Sequence, residues 1–470
     1  MAFPTTPIPL PTTSAPGSDG YSGGLRLINM YATKRIVRGK PAVQISAIDG
    51  LTRYKLLSGG AIRGMIDVAG RLYVVAGINL YHRDPTTEVW TVLGSISGNR
   101  PVRMAANRRS PRADLGIVAN AQYYCVRDGV LTTPPVDSDL PPPVDITVFN
   151  GRFVFPISDG RVFVSEVDDG LTVDALAFGT GETYSDVNIG IGVRGSDVCL
   201  FGSASIEFLR DAGTTPWPFD LAHAIPVGCL SATSIAEVNE SIVWVADDNT
   251  VRRLDGYTPT PISTVDVQEA IDRASDKHEI EATVYERAGV RYVKFSCSSF
   301  TWVWNGTSGD WHEEKSNGLS RWRGRSSIIF ADKHLVGDYD NGIIYEVSPT
   351  AYDEDGTRII CELHTAIDGY PTGMIINRLF VDGQTGVGLN TTIPEDQDPE
   401  LMIDVSRDGG RTWTIQRRAK LGAIGEFGKR PVAHRLGRFD GRGARLRVSC
   451  SASVLRVISG LSADIEALEP

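Results

Sequence analysis

The chain has 470 residues, 41% of them apolar and 22% charged, and a formal net charge of −10. That length exceeds one ordinary hydrophobic core, so more than one domain is expected in a chain of otherwise ordinary soluble composition. The acidic balance argues against a protein that coats nucleic acid, and no stretch approaches the ~18 uninterrupted apolar residues of a membrane span.

Residues 1–24 are rich in Pro, Thr, Gly and Ser and carry no periodic pattern. They are expected to be an extended lead, ordered only against a partner. They contain neither a basic n-region nor an apolar h-region, so no secretory signal is expected. The six cysteines, at 125, 199, 229, 297, 361 and 450, include no C-x-x-C pair. Reduced core thiols are the expectation, not a disulfide framework.

Short apolar runs such as Leu25-Arg26-Leu27-Ile28 and Val43-Gln44-Ile45 follow. From Leu72 a small device then repeats: an apolar run, a tight polar turn, a second apolar run and an exit rich in Asp and Gly. Phe153-Val154-Phe155 turning through Ser158-Asp159-Gly160 to Val162-Phe163-Val164 is a clear copy. The anchors Leu72, Leu115, Phe153, Val198, Ile242, Tyr292 and His334 are separated by 43, 38, 45, 44, 50 and 42 residues. Blades of a β-propeller recur every ~40–50 residues, whereas a sandwich alone shows turn signals every ~8–12. An all-β propeller of six to eight blades over residues 25–350 is predicted, with an early strand among residues 25–60 closing the ring. The widest gap holds Asp266-Val267-Gln268-Glu269-Ala270-Ile271, which predicts a short helical insertion near residues 266–274 on the rim.

After Pro349 the beat stops, and alternating runs such as Met402-Ile403-Asp404-Val405 and Arg445-Leu446-Arg447-Val448 begin. They predict a C-terminal antiparallel β-sandwich over residues 351–470. Its middle is basic. Arg417, Arg418, Lys420, Lys429, Arg430, Arg435 and Arg438 mark a patch facing either DNA phosphates or the acidic surface of a neighbouring subunit, the second being favoured.

Catalytic signals are poor. Ser406-Arg407-Asp408-Gly409-Gly410-Arg411-Thr412-Trp413 fits the Asp-box pattern of sialidase propellers, which reads first as a hairpin staple. A glycan-binding or glycan-cleaving propeller of sialidase type is therefore the alternative function, and a cytoplasmic propeller scaffold is a third. The seven histidines are scattered without H-E-x-x-H, and Asp338-Tyr339-Asp340-Asn341-Gly342 lacks the distal Glu of a calcium loop. No metal, cofactor or catalytic residues are expected. Trp302, Trp304, Trp311 and Trp322 near Arg321, Arg323 and Arg325 read as blade-packing residues beside a solvated loop.

Several phrases together resemble one known family. Ile28-Asn29-Met30-Tyr31-Ala32-Thr33, then Ile189-Gly190-Ile191-Gly192 with Cys199-Leu200-Phe201-Gly202-Ser203-Ala204-Ser205-Ile206-Glu207-Phe208, then the Asp-box with His434-Arg435-Leu436-Gly437-Arg438, occur in order. They are similar to the tail nozzle, or packaged-DNA stabilisation protein, of short-tailed bacteriophages. The resemblance implies a virion tail component without enzymatic activity, made in the host cytoplasm. It also implies a homohexameric ring below the portal and adaptor that continues the DNA channel and helps retain the genome. Contacts with a tailspike or tail fibre, and with a plugging needle, belong to the same expectation. A channel surface that is acidic or neutral is predicted, so that duplex slides past it.

Overall fold

In the computed structural model, which describes residues 5–17, 23–37, 40–133, 140–181 and 186–469, every anchor of the sequence beat lies in the second strand of an antiparallel sheet. The chain is all-β, a propeller joined to a C-terminal sandwich, and packs as two units.

One unit comprises residues 53–299 and 323–347. Five complete four-stranded sheets follow one another, the first from Ile62–Val68 to Trp90–Ser95 and the fifth from Ala236–Val238 to Thr258–Pro261. The hairpin Glu281–Arg287 with Val290–Ser296 begins the sixth blade. The seventh runs Gly324–Phe330, Lys333–Asp338, Ile343–Ser348 and then Gly50–Leu56. A strand that precedes the first blade thus completes the last, and the Leu57 N–H donates to Gly342 O at 2.8 Å. Ring closure covers the two sheet faces that a linear array of blades would leave open, and keeps the remaining edges short.

Between blades the side chains interleave. Tyr123 and Cys125 of the second blade pack with Phe153, Phe155 and Phe163 of the third, all fully buried. Each such side chain contributes roughly 1.5–3 kcal/mol of transfer free energy. The Ile-Gly-Ile-Gly phrase has a steric reason. A Cβ on Gly190 would stand 2.6 Å from Ile235 Cδ1 and 3.2 Å from Ala232 Cα, so glycine makes room for the close approach of the fifth blade, which a larger residue would gain only by moving Ile235. The predicted insertion is the helix Val265–Arg273, which buries Val267 and Ile271 one turn apart.

The other unit comprises residues 1–52, 300–322 and 348–470, a division that differs from the expected ranges 1–24, 25–350 and 351–470. One sheet orders Met30–Val37, Lys40–Ala47, Val457–Ala467, Met374–Gly383 and Val432–Phe439. The other contains Thr301–Asn305, Trp311–Glu313, Arg26–Ile28, Cys361–Ile367, Ala444–Cys450, Glu400–Ser406 and Thr414–Lys420 in that order. Between them lies a core of Leu27, Ile45, Leu363, Ile376, Leu446 and Val448 among others. The early runs at Leu25 and Val43 therefore build the sandwich, and only Gly50–Leu56 closes the ring. The described part of the lead also departs from expectation. Thr5–Ile8 pairs with Val457–Ala467 of its own chain, and Thr5 Oγ1 donates to Asp464 at 2.7 Å, so contacts within the chain already hold this segment. Residues 1–4 and 18–22 of the lead lie outside the described residues.

Candidate functional site

The inner strands of the propeller line an axial cavity of about 390 Å³, where a propeller enzyme or lectin would place its chemistry. Its charged groups are engaged with one another. Arg103 Nε donates to Asp145 Oδ1 at 2.7 Å, and Asp145 also receives the Ile146 and Ile191 N–H groups, tying three blades together. Arg325 grips Glu281 through two bonds of 2.7 and 2.5 Å. Arg63 donates to the carbonyls of Gly77, Ile96, Ser97 and Arg100, and burial lowers its pKa to about 10. Asp145 and Glu281 clip blade to blade, Arg63 ties the first blade to the segment that leaves it, and no nucleophile stands beside a base among these groups.

A second cleft, of about 650 Å³, brings Arg194, Arg210 and Arg291 near Tyr257, Glu237 and Glu240, in outline the set a sialidase needs. Its bonding is different. Arg210 holds Asp197 at 2.8 and 3.0 Å, Tyr257 Oη donates to the same carboxylate at 2.8 Å, and Arg194 is 3.8 Å from it. Burial would raise the pKa of Asp197, but Arg210 and Tyr257 outweigh it and hold it below the usual range. Arg291 pairs with Glu286 at 3.2 Å. Arg210 and Arg291 of this cleft are thus engaged with carboxylates of the protein itself.

The Asp-box is a staple. Ser406 Oγ donates to Asp408 at 2.7 Å and accepts the Gly410 N–H at 2.8 Å. The Thr412 hydroxyl and N–H both donate to Asp408, and these bonds hold its carboxyl well below the usual range. Trp413 stands edge-on to His364 and under Arg447, as a packing residue does. Asp338 spends its oxygens on Asp340 N, Asn341 Nδ2 and Tyr345 Oη, which makes a hairpin turn. Among the described residues no group of three or more His, Cys, Asp or Glu is placed to hold a metal. Trp302, Trp304, Trp311 and Trp322 are buried. The six cysteines are free and buried, and burial pushes the Cys125, Cys199 and Cys229 thiols up to about 12.

The predicted basic patch splits in two. Lys420 is paired with Asp398, Lys429 with Glu426, and Arg430 with Asp382 at 2.7 Å while it lies over the Phe380 ring. Arg418 approaches Glu400 at 3.4 Å. Arg417 donates only to the His434 and Arg435 carbonyls, so its charge stays uncompensated. Arg435 and Arg438 are exposed, with no carboxylate partner among the described residues. Arg417, Arg418, His434 and Arg435 line a groove of about 570 Å³ with Asn377, whose Nδ2 is buried without a hydrogen-bond partner. Sequence reading missed what adjoins them. Leu389, Ile393, Ile424 and Phe427 are 38–73% exposed on two loops laced by Gly386 N to Leu421 O and Gly388 N to Gly422 O. The signal was present in Ala423-Ile424-Gly425-Glu426-Phe427-Gly428, apolar residues set among glycines where no strand can bury them.

Paired interiors and a charged, partly apolar outer edge are the features of a building element. Comparison with known proteins agrees: residues 24–352 match the family model described as Bacteriophage P22 Gp10, beta-propeller, and residues 366–466 match Bacteriophage P22 Gp10, beta-sandwich. These are phage structural proteins. The chain belongs to the P22 Gp10 family, the tail nozzle or packaged-DNA stabilisation proteins of short-tailed phages. No curated protein matches it. Among solved structures it is similar to the WD40 propeller domain of Doa1, at 10% identity and TM-score 0.41 over 64% of this chain and 97% of that one. YCF48 from Cyanidioschyzon merolae gives 11% and 0.41 over 64% and 99%. The computationally designed Ika8 protein gives 12% and 0.39 over 69% and 100%.

Proposed function

We propose that the chain is the subunit of a distal tail nozzle, six copies forming a ring that extends the DNA channel below the portal and its adaptor. The ring helps to hold the packaged genome until ejection, and its outer surface carries a tailspike or tail fibre and a plugging needle. The subunit is made in the host cytoplasm and has no catalytic role of its own. The observation that carries this reading is the match of both Gp10 modules, in order, over nearly the whole chain. The engagement of the axial arginines with acids and carbonyls supports a structural role over glycan chemistry. A six-fold ring closes heterologous contacts without open-ended growth, and a net-acidic body repels passing duplex.

Electron cryomicroscopy of the native particle is the test. A six-fold density for this chain at the tip of the tail, with an acidic or neutral channel wall, is the expected result. Density elsewhere in the virion, or a continuous basic lining, overturns the reading. A fluorogenic sialoside assay on the purified chain is expected to show no turnover, and turnover abolished by Arg210→Ala would instead establish the glycan reading.

A further inference from the structure

Residues 407–447 contain 12 Lys and Arg against 3 Asp and Glu, while the rest of the chain contains 35 against 54. One short segment is thus strongly positive in a protein that is elsewhere strongly negative. Thr414–Lys420 and Val432–Phe439 are the terminal strands of their two sheets, and Arg417 of the first donates to carbonyls of the second. The two open edges therefore lie side by side, and the loop carrying Ile424 and Phe427 connects them. Open edges and exposed apolar side chains are features that soluble proteins cover.

We infer that this sandwich edge docks on the acidic propeller of a second copy of the chain, with Ile424 and Phe427 as apolar anchors and Arg418, Arg435 and Arg438 as the charged rim. The inference rests on the ring reading above and names the surface that joins one subunit to the next. Charge complementarity selects the occupant, because the acidic excess lies on this same chain. The third blade offers the counterpart in both charge and polarity. Around its long outer strand, Asp169–Thr180, exposed Asp174 and Glu166, the latter 3.5 Å from Arg152, accompany exposed Val167 and Leu176, these two 52% and 69% exposed. DNA fits less well. A duplex backbone neutralises arginines but presents no apolar surface to cover Phe427, which is 73% exposed. Arginine at the rim of an apolar centre is the usual anatomy of a protein interface.

The test adds full-length protein to packaged particles made without it and counts rings at the tail by electron microscopy. Wild type forms rings. Arg435→Glu/Arg438→Glu, and separately Ile424→Ser/Phe427→Ser, are expected to keep the wild-type melting curve and to need about tenfold more protein or higher for the same occupancy. Adding Glu166→Arg/Asp174→Arg to the arginine variant is expected to restore assembly, and high salt is expected to weaken the wild-type contact. If wild type forms no ring, the ring reading falls and this inference with it. If wild type forms rings and both variants do so equally well, the docking face alone is overturned. Rings that form normally but fail to take up the tailspike or fibre, or to bind a short duplex, overturn it in favour of that partner. Loss without rescue overturns the pairing with the third blade.

Discussion

Asp114 in the second blade and Arg435 on the sandwich edge show how differently the two units use charge. Asp114 is fully buried and accepts from Arg109 at 2.8 Å, from Arg127 at 2.5 and 3.0 Å, and from the Gly170 N–H of the next blade at 2.9 Å. Arg435 is exposed and meets no carboxylate among the described residues. In the propeller, ion pairs are internal fasteners that fix the angle between neighbouring sheets. On the sandwich edge, cations stand open to solvent beside exposed apolar side chains. The sandwich has internal pairs of its own, such as Arg447 with Asp404, but its edge leaves arginines such as Arg435 open.

The comparison breaks most readily at Asp114. Asp114→Ala leaves the buried Gly170 N–H and Asn107 amide without their acceptor, while Arg109 and Arg127 keep Asp128 and Asp169, and is expected to destabilise the propeller by about 2–3 kcal/mol, read from denaturant unfolding. A cost near zero would mean that the internal pairs fasten nothing. Acid is the next lever, and its sign follows from the carboxylates. Asp114, Asp197 and Asp408 have folded pKa values held below their unfolded ones, the first two against the opposing effect of burial. Their contribution is present above the unfolded pKa of ~3.9 and is lost as pH falls through the folded values. Melting temperature is therefore expected to be level from pH 7 to 5 and to fall below pH 4.

Smaller is the expected effect of Ser406→Ala, which removes the hydroxyl's bonds to the Asp408 carboxylate and to the Asp408 and Gly410 N–H groups and costs the sandwich about 1 kcal/mol by the same denaturation assay. A glycan-binding defect in its place would argue against the staple. Smallest of all is Arg435→Glu, expected to change folding stability by under about 0.5 kcal/mol. A large loss there would show the edge arginines to be structural fasteners after all and would erase the contrast between the units.

Much of the fold was legible because blades are written locally. An apolar run, a turn and an apolar run encode a hairpin within ~15 residues, so Leu72, Phe153 and Ile242 marked their strands without tertiary information. The Asp-box was legible for the same reason: Ser406, Asp408, Gly410 and Thr412 satisfy one another within a single turn. The candidate surface was half legible. Sequence located the basic segment but could not sort it, because Arg430 meets Asp382 48 residues away, and nothing local separates it from Arg435.

The amino-acid sequence by itself determined the propeller period, the helical insertion, the sandwich strands and, through phrases spread along the chain, the family. Tertiary structure alone decided that Gly50–Leu56 closes the ring and that Thr5–Ile8 and Arg26–Ile28 are bound into the sandwich. It also decided which arginines are neutralised and which stay open. The physical reason is range: turn chemistry and alternation act between neighbours in sequence, whereas strand pairing and charge neutralisation act between neighbours in space.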